Sequence, residues 1–161
     1  YEWDNHHSRG MIHSSIWQEK ICRSIFILRY MHGNDLINEI GFDFSWDTEK
    51  VWWLDEPTVV VPIHTLLWHF DMPFWNSEWT DEYNLTVWDT FLNPQREIHH
   101  WDAILNANIQ YPLDVMPNKW KLLLLDGLHR LARYYLMGNK DIHVRIIPRS
   151  RIPEIVELTN T

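Results

Sequence analysis

Residues 122–138, LLLLDGLHRLARYYLMG, constrain the fold more than any other stretch of the chain. A short leucine run stops at Asp126-Gly127, which reads as a buried strand closed by a tight turn. Leu128, Leu131, Ala132, Tyr135 and Leu136 then recur at spacings of three and four, forming the apolar stripe of a helix. Gly138 stands where that helix should close. A strand that enters a helix through one glycine leaves the first helical N–H groups without partners, at the positive end of the helix dipole. Such a mouth favours an anion.

His129, Arg130 and Arg133 fall on the side of the helix opposite the stripe. Grouped at a helix start they oppose the dipole, and bound phosphates would relieve that conflict. Arg130 could grip phosphate oxygens bidentately and His129 could donate to another. Asp126 is placed to cap the helix, and Gly127 would let a ligand approach the backbone closely. The other reading is a surface helix whose basic face pairs with local carboxylates.

The flanking segments predict the rest of the domain. TVVVPI (58–63) is β-branched and reads as a strand, with a helical turn following in HTLLWHF. Residues 76–96 read as a long polar loop with a short helix near 86–92. A helix is expected over 96–108, a strand over 111–115, a turn at 117–119 and a hairpin partner over 120–125. Ile142, Val144 and Ile146 alternate with His143 and Arg145, marking a last strand buried on one face. The order strand, helix, strand, strand, helix, strand predicts an α+β fold, with helices packed on a small mixed sheet over 58–161. Upstream, Trp17, Ile21, Ile25 and Leu28 have helical spacing, and residues 42–57 read as loop with one short strand. Residues 1–57 are therefore expected to be an N-terminal helical extension.

Charge narrows the partners. With 22 acidic against 14 basic residues the formal charge is −8, which repels polyanions, and the one basic run, Arg145, Arg149 and Arg151, is thin. Direct nucleic-acid binding is not expected. Cys22, the single cysteine, excludes an internal disulfide and fits a reducing, cytoplasmic setting. No apolar stretch reaches the length of a membrane span.

The stretch DGLHRLARYYLMGNKDIHVRII resembles the signature of the ParB/sulfiredoxin superfamily, in which a strand enters a G-x-H-R or related turn and a helix follows. The resemblance extends back through VVVPI, the D-x-P-x-W loop and HHWDAILNANIQYPLDV, covering about residues 58–148. It implies a nucleotide site, because ParB-type partition proteins bind CTP, sulfiredoxins use ATP and free serine kinases use ADP. Their phosphate-holding turn corresponds to Gly127, Leu128, His129 and Arg130, with Arg133 and His100 nearby. Leu128 replaces the sulfiredoxin cysteine, which argues against that chemistry. Partition proteins carry a G-E-R-R-like turn and a further helix-turn-helix domain, for which this chain is expected to leave no room. The DG-x-HR form is closest to the serine kinases.

The expected function is phosphoryl transfer from ATP or ADP, or a CTP-type nucleotide, to a small hydroxyl-bearing molecule, with room for a homo-oligomer. The alternative is a non-catalytic or DNA-associated ParB-like module of regulatory or nuclease type. Such transfer needs a metal and usually a carboxylate base. Asp126 is the candidate magnesium ligand, and Asp126 and His129 are candidate catalytic groups. Asp71 is the candidate base, with Glu56 a weaker one. His64, His69 and Asp71 do not have a known metal spacing. Trp52, Trp53, Trp68, Trp75, Trp79 and Trp88 are candidates for stacking on a base, though core packing accounts for most of them.

Overall fold

A computed structural model describes residues 39, 41–78, 80 and 82–157. The expected helix carrying Trp17, Ile21, Ile25 and Leu28 lies outside these, as do Cys22 and Trp79. In chain order the elements begin with α1 (Thr48–Trp52), β1 (Thr58–Pro62) and two 3-10 turns, Ile63–Thr65 and Leu67–Asp71. A small ribbon follows, β2 (Trp75–Asn76) with β3 (Tyr83–Leu85), and then α2 (Val87–Leu92) and α3 (Ile98–Asn106). The hairpin β4 (Leu113–Asn118) and β5 (Lys121–Asp126) leads into α4 (Leu128–Leu136) and β6 (Asp141–Ile146). A 3-10 turn, Arg149–Arg151, and α5 (Ile152–Ile155) complete the set.

The sheet runs β1-β6-β4-β5. Its outer pairs are antiparallel, whereas β4 and β6 are parallel, with Asp114 opposite Arg145. The fold is thus α+β with a small mixed sheet, as the element order predicts. Side chains alternate across a strand, so the sheet separates two cores. Leu113, Val115, Ile142 and Val144 join Ile104, Leu131 and Phe70 in one core. Met116 and Leu125 join Val51, Leu54, Ile147 and Ile155 in the other.

Four local expectations are corrected. Residues 48–52 are helix rather than loop or strand, because the Asp47 carboxylate accepts from the N–H groups of Glu49 and Lys50 and caps the turn. That segment also packs into the second core, so the chain is continuous in packing across residue 57. The hairpin turn falls later than 117–119: β4 runs to Asn118, and Lys119 takes the left-handed conformation at φ 53°. On α4, Tyr134 rather than Tyr135 is buried, its hydroxyl donating to the Ile109 carbonyl at 2.7 Å. Tyr135 still packs at the stripe's edge, against Phe70, Trp88 and Phe91.

Candidate functional site

Gly127 is the first residue to explain. It sits at φ +111°, a conformation that side chains rarely adopt, and it lets β5 turn directly into α4. Asp126 does not cap this helix, and no side chain among the described residues does. Among the described residues the first-turn N–H groups of α4 therefore have no side-chain partner, and the turn opens on a cavity of about 740 Å³. Gly127, Leu128, His129 and Arg130 line that cavity, with Trp52 and Tyr111 among its other walls.

The Asp126 carboxylate is occupied elsewhere. Its Oδ2 accepts from Trp52 Nε1 at 2.9 Å and from Arg130 Nη2 at 2.6 Å. The Arg130 guanidinium folds over Gly127 so closely that a Cβ there would lie 3.1 Å from it. Two expectations change accordingly. Arg130 is not held out to an incoming anion, and its guanidinium crowds one side of Gly127. To that extent the basic face pairs with a local carboxylate.

Across the same cavity, Asp114 accepts from Arg145 Nε at 2.7 Å, and burial pushes its carboxyl up while Arg145 opposes the shift. The same guanidinium donates to the carbonyls of Leu54 and Val51, tying the end of α1 to the sheet. Asp114, Asp126, Arg130 and Arg145 make the cavity walls formally neutral.

His129 is organised by α3. The His100 Nε2 atom lies 3.0 Å from the Asn76 carbonyl oxygen, which can only accept, so that nitrogen carries the proton. In neutral His100 the Nδ1 atom is then an acceptor, and it meets Nε2 of His129 at 3.1 Å. The His129 proton therefore sits on Nε2, and its Nδ1 is left as an acceptor with no partner among the described residues. Both rings stack on Trp75 at 4.5 Å. Burial, then His100, lower the His129 pKa to about 4, against the opposing pull of Asp126. His129 is thus neutral at pH 7 and gives its one proton to His100. The expected donation from His129 to phosphate is corrected: this ring accepts.

Other candidates fall outside this site. Asp71 lines neither this cavity nor its neighbour; its carboxylate accepts from Trp88 Nε1 at 3.0 Å, and burial raises its pKa. Arg133 donates to the Ala107 carbonyl at 2.8 Å, fastening α4 to the end of α3 rather than facing a ligand. Glu56 sits 3.3 Å from Arg151. His69 is buried, with Nδ1 on the Leu66 carbonyl and Nε2 on the Leu124 N–H, so neither ring nitrogen is free for a metal. The thin basic run is neutralised by Asp114, Asp43 and the pair Glu56 and Glu154.

Among the described residues no group of three histidine, cysteine or acidic side chains converges on one point. Magnesium asks less, one or two carboxylates beside substrate phosphates. Both Asp126 hydrogen bonds, from Trp52 and Arg130, fall on Oδ2. Sequence reasoning named Trp75 only as a stacking candidate for a base, whereas it stacks on His100 and His129, and it missed Asn76, Asp114 and the anchoring role of Arg145. No helix among the described residues is long and apolar enough to cross a membrane. Comparison with protein families, with curated proteins and with solved structures finds no match to this chain.

Proposed function

We propose that the chain is a ParB/sulfiredoxin-like nucleotide-binding domain that transfers a phosphoryl group from a nucleoside di- or triphosphate to a small hydroxyl-bearing molecule. The observation that carries this reading is the uncapped start of α4, open to a cavity of about 740 Å³. That volume lies within the range of small-molecule and cofactor sites. Backbone N–H groups of the first turn supply the phosphate contacts, and Arg130 joins them by exchanging Asp126 for phosphate oxygens. Trp52, which lines the cavity, is the one among the described candidate tryptophans placed to cover a base there.

In the transfer step the acceptor oxygen attacks the terminal phosphorus as the phosphorus–bridging-oxygen bond breaks. The electron pair leaves with the shortened nucleotide, and the hydroxyl proton passes to Nδ1 of His129. His100 and the Asn76 carbonyl act as positioning groups, holding that nitrogen unprotonated. Asp126 would hold magnesium, which neutralises phosphate charge in a cavity whose own charges cancel.

One observation favours a second reading, a non-catalytic ParB-like module: Asp126 already occupies Arg130. Calorimetric titration with Mg·ATP, Mg·ADP and Mg·CTP separates the two from a chain that binds no nucleotide, and ³¹P NMR of turnover separates them from each other. Absence of binding at millimolar nucleotide would sink both.

A further inference from the structure

The turn at the start of α4 has a cavity on each side. Beyond the first, a smaller one of about 480 Å³ is lined by Trp46, Phe74, Trp75, Tyr83 and Leu124. Its remaining walls include Asp126, Gly127, Leu128 and His129, the same residues that line the larger cavity. Both cavities reach the same four residues, so a ligand in the smaller one lies next to the turn at which α4 begins.

The lining selects the ligand. Its walls are dominated by aromatic rings and leucines, which favour a flat apolar body. No lysine or arginine is among the described lining residues, so an anion or a zwitterion's carboxylate finds no cationic partner there. His69, which also lines it, has both ring nitrogens satisfied by backbone. Among the lining residues, His129 keeps Nδ1 as an acceptor with no hydrogen-bond partner among the described residues, suited to receive a hydroxyl proton.

We infer that the smaller cavity binds a neutral aromatic alcohol, with its ring against Trp46, Phe74 and Tyr83 and its hydroxyl donating to His129 Nδ1. Its role as acceptor rests on the phosphoryl-transfer reading; its identity as a binding site does not.

The test is an NMR titration of the ¹⁵N-labelled chain with 4-methylphenol, with L-serine as the zwitterionic contrast. The cresol should shift signals of Trp75, Tyr83 and Leu124, and serine should leave them in place. Leu124→Trp fills the cavity and should abolish the shifts. Tyr83→Ala, a change at an exposed side chain that preserves the fold, should weaken binding by roughly three- to tenfold. Cresol shifts centred on Trp52 and Tyr111, equal shifts from serine, or no shifts at millimolar cresol would overturn the site. Mg·ATP added to the same sample reports separately through the Gly127 and Leu128 amides, so a failure of nucleotide binding is distinguished from a failure of cresol binding. Cresyl phosphate in the ³¹P spectrum supports the acceptor role. Cresol and Mg·ATP bound together with the nucleotide left intact would overturn that role.

Discussion

Arg130 Nη2 lies 2.6 Å from Asp126 Oδ2, an i,i+4 ion pair that spans Gly127 beside the open mouth of α4. Any phosphate bound at this turn competes with that carboxylate. Asp126→Asn removes the competitor and one negative charge. Metal-free ADP should then bind roughly three- to tenfold tighter, about 1 kcal/mol. The same variant should lose the strengthening that magnesium gives the native chain, because it lacks the proposed ligand. Calorimetry with and without a chelator measures both effects.

The His100–His129 pair makes a prediction that needs no ligand. Heteronuclear NMR of the imidazole rings at pH 7 should find both protonated at Nε2 and unprotonated at Nδ1. A proton on Nδ1 of His129 would contradict the assigned chain from Asn76. His100→Ala should raise the His129 pKa, since His100 is a cause of its lowering, and Asp126→Asn should lower it further, since Asp126 opposes the shift. NMR titration reads the two opposite directions.

Stability should fall in mild acid. Burial holds His69 at a pKa of about 4, below the ordinary 6.5, so the folded chain prefers the neutral ring. The unfolded chain binds the extra proton first. The stabilisation is therefore complete above pH 6.5 and is lost as pH falls toward 4. A shift from 6.5 to about 4 corresponds to roughly 3 kcal/mol for His69, and His129 contributes in the same direction. Protonating Nε2 also removes the acceptor for the Leu124 N–H. Urea unfolding at pH 7 and pH 5 should show the loss, and His69→Leu should flatten the dependence over that window.

Arg145 links the two cores, and its removal should show in stability before function. Its guanidinium holds Asp114 and the carbonyls of Leu54 and Val51. Arg145→Met strands a carboxylate that is 3% exposed, at a cost of about 3 kcal/mol at pH 7. Burial already pushes the Asp114 carboxyl above its ordinary range, so the penalty should shrink in acid as that group takes up a proton. Chemical denaturation across pH follows it.

Local pattern made the strand, glycine turn and helix legible, because an apolar run, a positive-φ glycine and a spaced stripe each leave a mark on neighbouring residues. The short helix near 86–92 was legible for the same reason: it forms as α2, where Thr86 and Asp89 build a reciprocal cap. The ribbon of Trp75–Asn76 and Tyr83–Leu85 was not, since two and three residues are too few to show alternation. The cap at Asp47 was readable in DTEK, yet five helical residues carry no periodicity. Within the site, Gly127, His129 and Arg130 were legible as a group, but their partners were not. Asp114 meets Arg145 across strands, and His100 meets His129 between helices, at sequence separations of 31 and 29 that no local pattern encodes. Charge alone suggested a basic run at Arg145, Arg149 and Arg151; tertiary contact with Asp114, Asp43 and Glu56 shows each one paired.

The central claim, that the start of α4 grips phosphates with the help of Arg130, is tested most directly by calorimetric titration of Mg·ATP into the native chain and Arg130→Ala. The native chain should bind, and the variant should bind more than roughly tenfold weaker, a loss of at least about 1.4 kcal/mol, with an unchanged circular dichroism spectrum. Equal affinity in the two proteins, or a native chain that does not bind Mg·ATP, would contradict it.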